Sequence, residues 1–156
     1  MTASTLLERL HAAHRGEVFG EIFYATAAKV ARDPSRRAKW ATLLELETRT
    51  RGRLEDALLS LGSRPAVSPS SRAAACAFGL VAGVAPWRFV LRALLHVARA
   101  STRRFEAWER EAPADLREVF HELAAHERAQ CIFAESELAG DTRDSIRPVV
   151  ELLGER

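Results

Sequence analysis

Apolar residues recur at alternating spacings of three and four positions along most of this chain, the pattern of helices that bury one face. Capping residues, prolines and glycines divide the pattern into four long helices and a short tail. The first helix is predicted to begin at Thr5, which forms a capping box with Glu8, and to end near Ala31. The second is predicted to begin at Pro34 and to end near Leu61.

A loop and a broken helix are predicted next. Residues 63–71 carry two prolines and four serines, which is typical of a loop. The third helix is predicted over residues 72–111, with a kink or break in its first half because helix-breaking residues interrupt it there. Those residues are Gly79, Gly83 and Pro86.

The end of the chain completes a helical bundle. Pro113 begins a fourth helix that is predicted to end at Gly140, and a short helix over residues 142–153 follows it. Short connections make consecutive helices antiparallel. We therefore predict an all-α fold with a single domain over residues 1–156: an antiparallel four-helix bundle with a broken third helix, a longer crossover between helices two and three, and a short C-terminal helix.

Three of the predicted apolar stripes are interrupted near the middle of the helix by a glutamate. Glu17 interrupts the first helix, Glu47 the second and Glu127 the fourth. A buried carboxylate without a partner is costly, so three of them require a metal ion, an arginine or protonation. Two-metal carboxylate sites of ferritin-like bundles use Glu-x-x-His on two of their helices. Here Thr50 and Gln130 stand where those histidines would be.

Several polar residues lie beside these glutamates. His126 is a candidate nitrogen ligand, and the alternative is a helix histidine satisfied by ordinary hydrogen bonds. His14 precedes Glu17 by one helical turn and is expected to hydrogen-bond to it. Glu21 and Glu45 lie off the apolar stripes, so we expect both to be solvated.

Composition restricts the functional class. Hydrophobic residues make up 47% and charged residues 28%, which is ordinary for a soluble globular domain. The net charge of +2 is too small to indicate a nucleic-acid partner, and none is predicted. Cys76 and Cys131 are predicted to be buried free thiols, which fits a reducing cytoplasm. The sequence becomes amphipathic directly after its first residues, so no signal peptide is predicted.

Short motifs resemble those of one enzyme family. His-Arg-Gly-Glu at residues 14–17, followed by Ile-Phe-Tyr at 22–24, resembles the first-helix signature of the demethoxyubiquinone hydroxylases, usually His-Ala-Gly-Glu with Ile-Tyr after it. These are ferritin-like di-iron monooxygenases of ubiquinone biosynthesis. Thirty positions after the glutamate of that motif, Glu47 stands where the family has the glutamate of its first Glu-x-x-His. Arg64-Pro65 matches an Arg-Pro of the family, and the resemblance covers roughly residues 10–140.

The resemblance implies a ferritin-like fold and a site for iron (or manganese), but only part of its ligand set. Glu17 and Glu47 match family ligands, whereas Thr50 replaces a histidine and the third helix has Ala98 or Arg99 where a glutamate is expected. We therefore predict a degenerate carboxylate site that binds one metal ion or none. The candidate ligands are Glu17, Glu47, Glu127, His126 and Gln130.

Arg99 suggests a different way to balance the buried carboxylates. A guanidinium beside the missing glutamate position could pair with Glu17 or Glu47 and replace the charge of a metal ion. The alternative is a solvated Arg99, whose replacement by methionine would leave stability nearly unaltered.

Residues Ala73–Trp87 form the most apolar run of the chain, although it is too short to span a bilayer. In the resembled family, the matching region lines a hydrophobic channel and docks on the membrane. The resemblance therefore implies an apolar-ligand channel and peripheral contact of Ala73–Trp87 with the inner membrane face. The alternative is a buried helix or the seam of a homo-oligomer.

Three functions follow from these patterns. The first is a relative of the demethoxyubiquinone hydroxylases with a degenerate metal site, located in the cytoplasm and without established catalysis. The second is a working di-metal oxidase or hydroxylase that uses nonstandard ligands such as His126, Glu122 or Gln130. The third is a dimerising or membrane-docking helical module that binds no metal.

Overall fold

A computed structural model describes residues 2–154, and in this range the chain forms six helices and no strand. The predicted all-α class is therefore confirmed. The predicted domain also includes residues 1, 155 and 156, which lie outside the described range. The helices are α1 (Ala3–Val30), α2 (Pro34–Ser60), α3 (Pro69–Val84), α4 (Trp87–Glu111), α5 (Ala114–Ala139) and α6 (Arg147–Gly154).

Side-chain caps determine where the helices begin. The hydroxyl of Thr2 accepts a hydrogen bond from the amide of Thr5, so α1 begins at Ala3, two residues before the predicted start at Thr5. Asp33 caps α2 by accepting from the amides of Ser35 and Arg36, in agreement with the predicted start at Pro34. Ser68 caps α3 in the same way and lets this helix begin at Pro69, earlier than the sequence pattern indicated.

Long helices α2 and α5 run antiparallel across the centre of the fold. Lys39 near the start of α2 contacts Glu137 near the end of α5. Later in α2, Thr50 contacts His126, which lies earlier in α5. Helix α1 runs antiparallel to α2, and α4 runs antiparallel to α5. Tyr24 lies in the last third of α1 and Trp40 in the first third of α2, and their ring centroids are 5.4 Å apart, as expected for an antiparallel pair.

The predicted broken third helix is in fact two helices that run in opposite directions. Gly79 of α3 lies against Phe23 of α1, and Gly83, one turn later, lies against Ala27, so α3 runs parallel to α1. The backbone is extended at Ala85 (φ −67°, ψ 161°), and the following proline cannot continue a helix, so the chain reverses there. Helix α3 is therefore the crossover that carries the chain from the end of α2 back to its beginning.

The apolar run Ala73–Trp87 lies on the outside of the fold, so the buried-helix alternative is wrong. Helix α3 packs only one face on α1, through Ala75, Gly79 and Ala82, and its other faces are exposed. The exposed apolar side chains of this helix are those of Phe78, Leu80, Val81 and Val84. In the described part of the chain, no helix is both long and apolar enough to cross a bilayer.

The cysteines are less buried than predicted. Cys76 on α3 is exposed, although its sulfur lies 3.9 Å from the Thr26 hydroxyl of α1, and Cys131 on α5 is half-buried. Both are free thiols, as predicted.

The glycines of α3 allow its backbone to approach α1 closely. A Cβ at Gly79 would lie 2.5 Å from the carbonyl oxygen of Phe23, which is part of the α1 backbone and cannot rotate away. We expect Gly79→Ala to lower the free energy of unfolding by about 1–3 kcal/mol, the usual cost of overpacking. Chemical denaturation measures this change. Gly52→Ala is the control, because a Cβ there meets nothing within 4 Å; an equal loss in both variants would contradict the explanation.

A layer of polar side chains divides the apolar core into two parts. One part includes Trp40, Leu91 and Phe133, and the other includes Leu54 and Phe120. The buried polar residues between them are Glu17, Glu47, Thr50, Ser101, His126 and Gln130. This layer lies near the middle of α1, α2 and α5, where the apolar stripes were predicted to be interrupted, and Ser101 of α4 extends it.

Candidate metal centre

Three potential metal ligands from three helices meet in the polar layer. Glu17 of α1, Glu47 of α2 and His126 of α5 each offer one ligand atom, and these atoms all lie within 4.8 Å of one another. Their residues are 3%, 4% and 1% exposed. Among the described residues this is the only group of His, Cys, Asp or Glu side chains with metal-binding geometry. The group could therefore hold a metal ion, screened from solvent on all sides.

Thr50 determines the proton position on His126. Its hydroxyl donates to the carbonyl oxygen of Leu46 at 2.9 Å, so its oxygen is left to accept from His126 Nδ1, also at 2.9 Å. With the proton on Nδ1, the lone pair of the neutral ring is on Nε2, which lies 3.0 Å from Glu47 Oε1. Metal-binding histidines are commonly held by such an outer hydrogen bond. Thr50 thus supports a ligand, although it is not one itself.

Gln130 joins the cluster to the only tyrosine of the chain. Its amide nitrogen donates to Glu47 Oε1 at 2.7 Å and lies within hydrogen-bonding distance of His126 Nε2. Its amide oxygen accepts from the hydroxyl of Tyr24 at 2.5 Å. This amide can donate to His126 Nε2 only when the ring is neutral, the form that binds a cation; when the ring is protonated, both nitrogens donate to Glu47 Oε1 instead. Gln130 is thus a hydrogen-bonding neighbour of both Glu47 and His126, and its predicted role as a metal ligand stays a prediction.

One oxygen of the cluster has no hydrogen-bond partner. Glu17 Oε2 is buried and lies 3.4 Å from His126 Nδ1, but no donor is aligned with it. A buried carboxylate oxygen without a donor is costly. A cation between the two carboxylates would satisfy it, so this unpartnered atom fits the metal interpretation.

Gly20 provides the space in which the Glu47 carboxylate lies. A Cβ at this position would lie 2.3 Å from Glu47 Oε2 and 2.5 Å from its carboxyl carbon. Gly20 belongs to the predicted core stripe of α1, one turn after Glu17. The absence of a side chain there allows the carboxylate of α2 to reach the middle of the cluster.

The charges of the cluster change the protonation of His126. Burial alone would lower the pKa of His126, but the neighbouring carboxylates of Glu17 and Glu47 outweigh it and raise the pKa to about 10. In the absence of a cation, the ring is thus an imidazolium that donates from Nε2 to Glu47. A proton and a metal ion therefore compete for the same nitrogen.

The same surroundings favour the neutral form of Glu17. Burial raises its pKa well above the ordinary value, and the charge of Glu47 and a hydrogen bond to that carboxylate add to the effect, against the opposing influence of His126. The neutral form of Glu17 is therefore favoured more than that of a solvent-exposed glutamate. Burial and the carboxylates, Glu47 foremost, also raise the pKa of Tyr24, so its hydroxyl stays protonated.

Glu127 lies near the cluster but does not join its ligand group. It forms a hydrogen bond with Ser101 of α4, a residue that also accepts from Arg104 at 3.2 Å. Burial raises the pKa of Glu127 to about 7, against the influence of His126. Glu127 is not among the three residues whose ligand atoms lie within 4.8 Å of one another, and its predicted role as a ligand stays a prediction.

Other expected partners lie elsewhere. Arg99 is about half exposed and pairs with Glu135 at 2.6 Å, so the hypothesis that it replaces the metal is wrong. His14 is buried, but its Nε2 faces Glu55 at 3.2 Å and not Glu17. Glu122, a ligand of the alternative di-metal site, pairs with Arg53 outside the cluster at 2.8 Å. Glu45 is exposed as predicted, whereas Glu21 is half-buried and pairs with Arg51.

Sequence reasoning missed the supporting roles of Thr50, Gly20 and Tyr24. Thr50 and Gly20 were visible as residues of the core stripes, but a stripe does not show what each residue faces. Tyr24 is the one polar-tipped aromatic residue on the α1 stripe, and its spacing of seven from Glu17 gives two turns on the same face. That spacing was the available signal for a hydrogen bond near the cluster.

We expect Gly20→Ala to weaken divalent-metal binding by about 10–100-fold, the effect of disturbing a residue that orients a ligand. The added methyl group would occupy the place of the Glu47 carboxylate and push it away from His126. Titration of the purified protein with Mn²⁺ measures the affinity. Gly16→Ala, one turn earlier with nothing within 4 Å of the new methyl, is the control and should bind like the wild type. Equal affinity in all three proteins would exclude the proposed role of Gly20.

Comparison with known proteins provides no family for this chain. No protein-family model, no curated protein and no solved structure matches it. Its function has to be inferred from the polar layer and the surface.

Proposed function

We propose that this protein binds a single divalent iron or manganese ion in the Glu17–Glu47–His126 cluster. The observation that carries the proposal is the convergence of three buried ligands from three helices around an unpartnered carboxylate oxygen. Two carboxylates and one imidazole form a mainly hard donor set, which suits Fe²⁺ or Mn²⁺ better than metals that prefer thiolates. The outer hydrogen bonds from Thr50 and Gln130 supply the support that such ligands need.

The ligand count favours one ion over two. A two-metal carboxylate site of ferritin-like bundles uses about six protein ligands, two of them from each Glu-x-x-His helix. Helix α4 contributes only Ser101 to the polar layer and no carboxylate. Glu127 bonds to Ser101, and Glu122 lies outside the cluster. We therefore prefer a degenerate single-ion site over a working di-metal oxidase or hydroxylase.

The proposal includes descent from a ferritin-like fold related to the demethoxyubiquinone hydroxylases. Four long helices, α1, α2, α4 and α5, surround the polar layer, and α3 returns the chain between the two antiparallel pairs. A crossover between two antiparallel helix pairs is the connectivity of ferritin-like bundles. The first-helix motif and the position of Glu47 support the relationship to that family.

Metal content and stability test the proposal together. We expect close to one equivalent of Fe²⁺ or Mn²⁺ by elemental mass spectrometry after anaerobic loading and desalting. At a free concentration of about 100 times the dissociation constant, the ion should raise the free energy of unfolding by about 2.7 kcal/mol. Glu47→Gln should lose both effects, whereas Glu45→Gln, an exposed carboxylate on the same helix, should keep them. Two equivalents, or none, would contradict a single-ion site.

A second candidate function rests on the exposed face of α3. Phe78, Val81 and Val84 are each more than half exposed, an unusual arrangement for a helix with a single charged residue. This face supports a docking role for Ala73–Trp87, on a membrane surface or in a homo-oligomer. Phe78→Asp should reduce sedimentation with lipid vesicles or dissociate the oligomer, whereas Leu59→Asp, an exposed apolar residue of α2, should do neither. A monomer that ignores vesicles would exclude this function.

A further inference from the structure

We propose that the outer face of α4 is a binding site for a compact phosphate-bearing anion, separate from the metal cluster. Between Trp87 and Phe105 this helix contains five arginines and one histidine, and it contains no acidic residue before Glu106. The modest net charge of the whole chain hides this local concentration of positive charge. A field of one sign on one face attracts an anion from solution.

Four of the basic residues lie along one line of the helix surface. Arg92, His96, Arg99 and Arg103 follow one another at spacings of four, three and four, which places them on the same face. With Leu95 they line an open groove with a volume of about 430 Å³. An α-helix rises about 1.5 Å per residue, so the row from Arg92 to Arg103 is about 16 Å long. The volume of the groove is in the range of small-molecule binding sites.

Most of this charge is not balanced within the protein. Arg92, His96 and Arg103 make no ion pair or side-chain hydrogen bond within the described range, and Arg99 has a single, half-exposed partner in Glu135. Arg53 and Arg128 on other helices are each paired with a glutamate, and the groove is distinguished by three basic side chains without such a partner on one line of one helix. Like charges one turn apart on a helix repel each other and cost stability. An anion in the groove would remove that repulsion.

The form of the groove favours several linked phosphates over a longer polyanion. Arginine guanidinium groups match phosphate oxygens in two-pronged geometry, and neighbouring positions on this face could each contact one phosphate. The basic row ends at Arg103. Glu106 and Glu109 follow on the same helix and would repel a nucleic-acid strand that extended beyond it. We therefore assign the groove to an oligophosphate group of nucleotide size, free or carried by a small molecule.

Calorimetric titration with inorganic tripolyphosphate, without metal ions, tests this site. We expect one molecule bound per chain, with an affinity that falls as salt is added. Arg92→Gln combined with Arg103→Gln should weaken binding at least tenfold. The control is Arg143→Gln combined with Arg147→Gln, which removes the same charge from exposed positions outside the groove and should change affinity less than threefold.

The other outcomes would overturn the proposal. Absence of binding at low salt, or an equal loss in both double variants, would reduce the groove to a solvated basic face. A single-stranded oligonucleotide that binds more tightly than tripolyphosphate would indicate a nucleic-acid surface instead. Binding of anionic vesicles that tripolyphosphate fails to displace would indicate a lipid surface. Circular dichroism of both double variants verifies that each is folded, since all four arginines are exposed.

Discussion

Replacement of Lys39 by methionine should lower the free energy of unfolding by about 3–5 kcal/mol, because it leaves a buried carboxylate without its cation. Glu137 is the partner: its side chain is 2% exposed and bonds directly to the Lys39 ammonium group. Ser145 and the indole of Trp87 also donate to Glu137, each at 2.6 Å, but neither carries a charge. Methionine preserves the length of the side chain, so the loss is mainly electrostatic. Chemical denaturation at neutral pH measures the effect.

Arg99→Met is the matched control for this prediction. It removes the cation of an ion pair whose members are both about half exposed, so we expect a loss below about 1 kcal/mol. The pH dependence gives a second check. Although burial opposes it, Lys39, Ser145 and Trp87 lower the pKa of Glu137, so the stabilisation is present above the ordinary pKa of a glutamate and is lost as the pH falls below it. Equal losses in the two variants, or a difference independent of pH, would exclude a role for the buried pair.

Metal affinity should rise steeply with pH. Below a pH of about 10 the ring of His126 carries a proton that a cation must displace, and the raised pKa of Glu17 acts in the same direction. Each proton released per ion bound changes the apparent affinity about tenfold per pH unit. The proton on His126 therefore predicts an increase of about tenfold between pH 6 and pH 7, and a proton released from Glu17 would make the increase steeper. Calorimetric titration with Mn²⁺ in buffers of different ionisation enthalpy measures both the affinity and the number of protons released.

The direction of this effect distinguishes the cluster from an ordinary surface site. Exposed carboxylates are already ionised at pH 6 and would bind cations with little pH dependence. An affinity that stays flat from pH 6 to pH 8, without proton release, would show that the ion is bound outside the Glu17–Glu47–His126 cluster. The Glu47→Gln variant should not bind Mn²⁺ at the cluster at any pH in this range.

Local signals predicted the helices well but not the path of the chain. Asp33 and Gly140 mark helix ends in the structure, as their capping chemistry indicates. The break near Pro86 was also predictable. The reversal was not, because periodicity describes which face of a helix is apolar and carries no information about its direction. The contact of Gly79 and Gly83 with α1 decides the direction, and it exists only in the folded chain.

The site was predictable for the residues whose burial follows from the stripes. Glu17 and Glu47 interrupt otherwise apolar faces, and both are in the cluster. On α5 the stripe indicated Glu127, yet the structure turns His126 toward the carboxylates and Glu127 toward Ser101. Neighbouring residues differ by 100° around a helix, so a small rotation of α5 decides between them. Sequence spacing cannot specify that rotation to better than one residue.

Arg99 illustrates the same difficulty on α4. The resemblance places an expected glutamate at Ala98 or Arg99. In the structure Ala98 faces the core, whereas Arg99 faces solvent. The positive charge that balances the carboxylates comes from His126 instead, at 3.0 Å from Glu47. The chain therefore balances its buried carboxylates with a group that can release its charge to a metal, which a buried arginine could not do.

Anomalous diffraction from crystals of the protein loaded with Mn²⁺ or Fe²⁺ would test the single-ion site most directly. We expect one anomalous peak within bonding distance of Glu17, Glu47 and His126. The peak should be absent from crystals of the Glu47→Gln variant. Two peaks in the polar layer would restore a two-metal site. No peak there after loading at pH 8 would contradict the metal site and leave the cluster as a set of protonated, mutually hydrogen-bonded core residues.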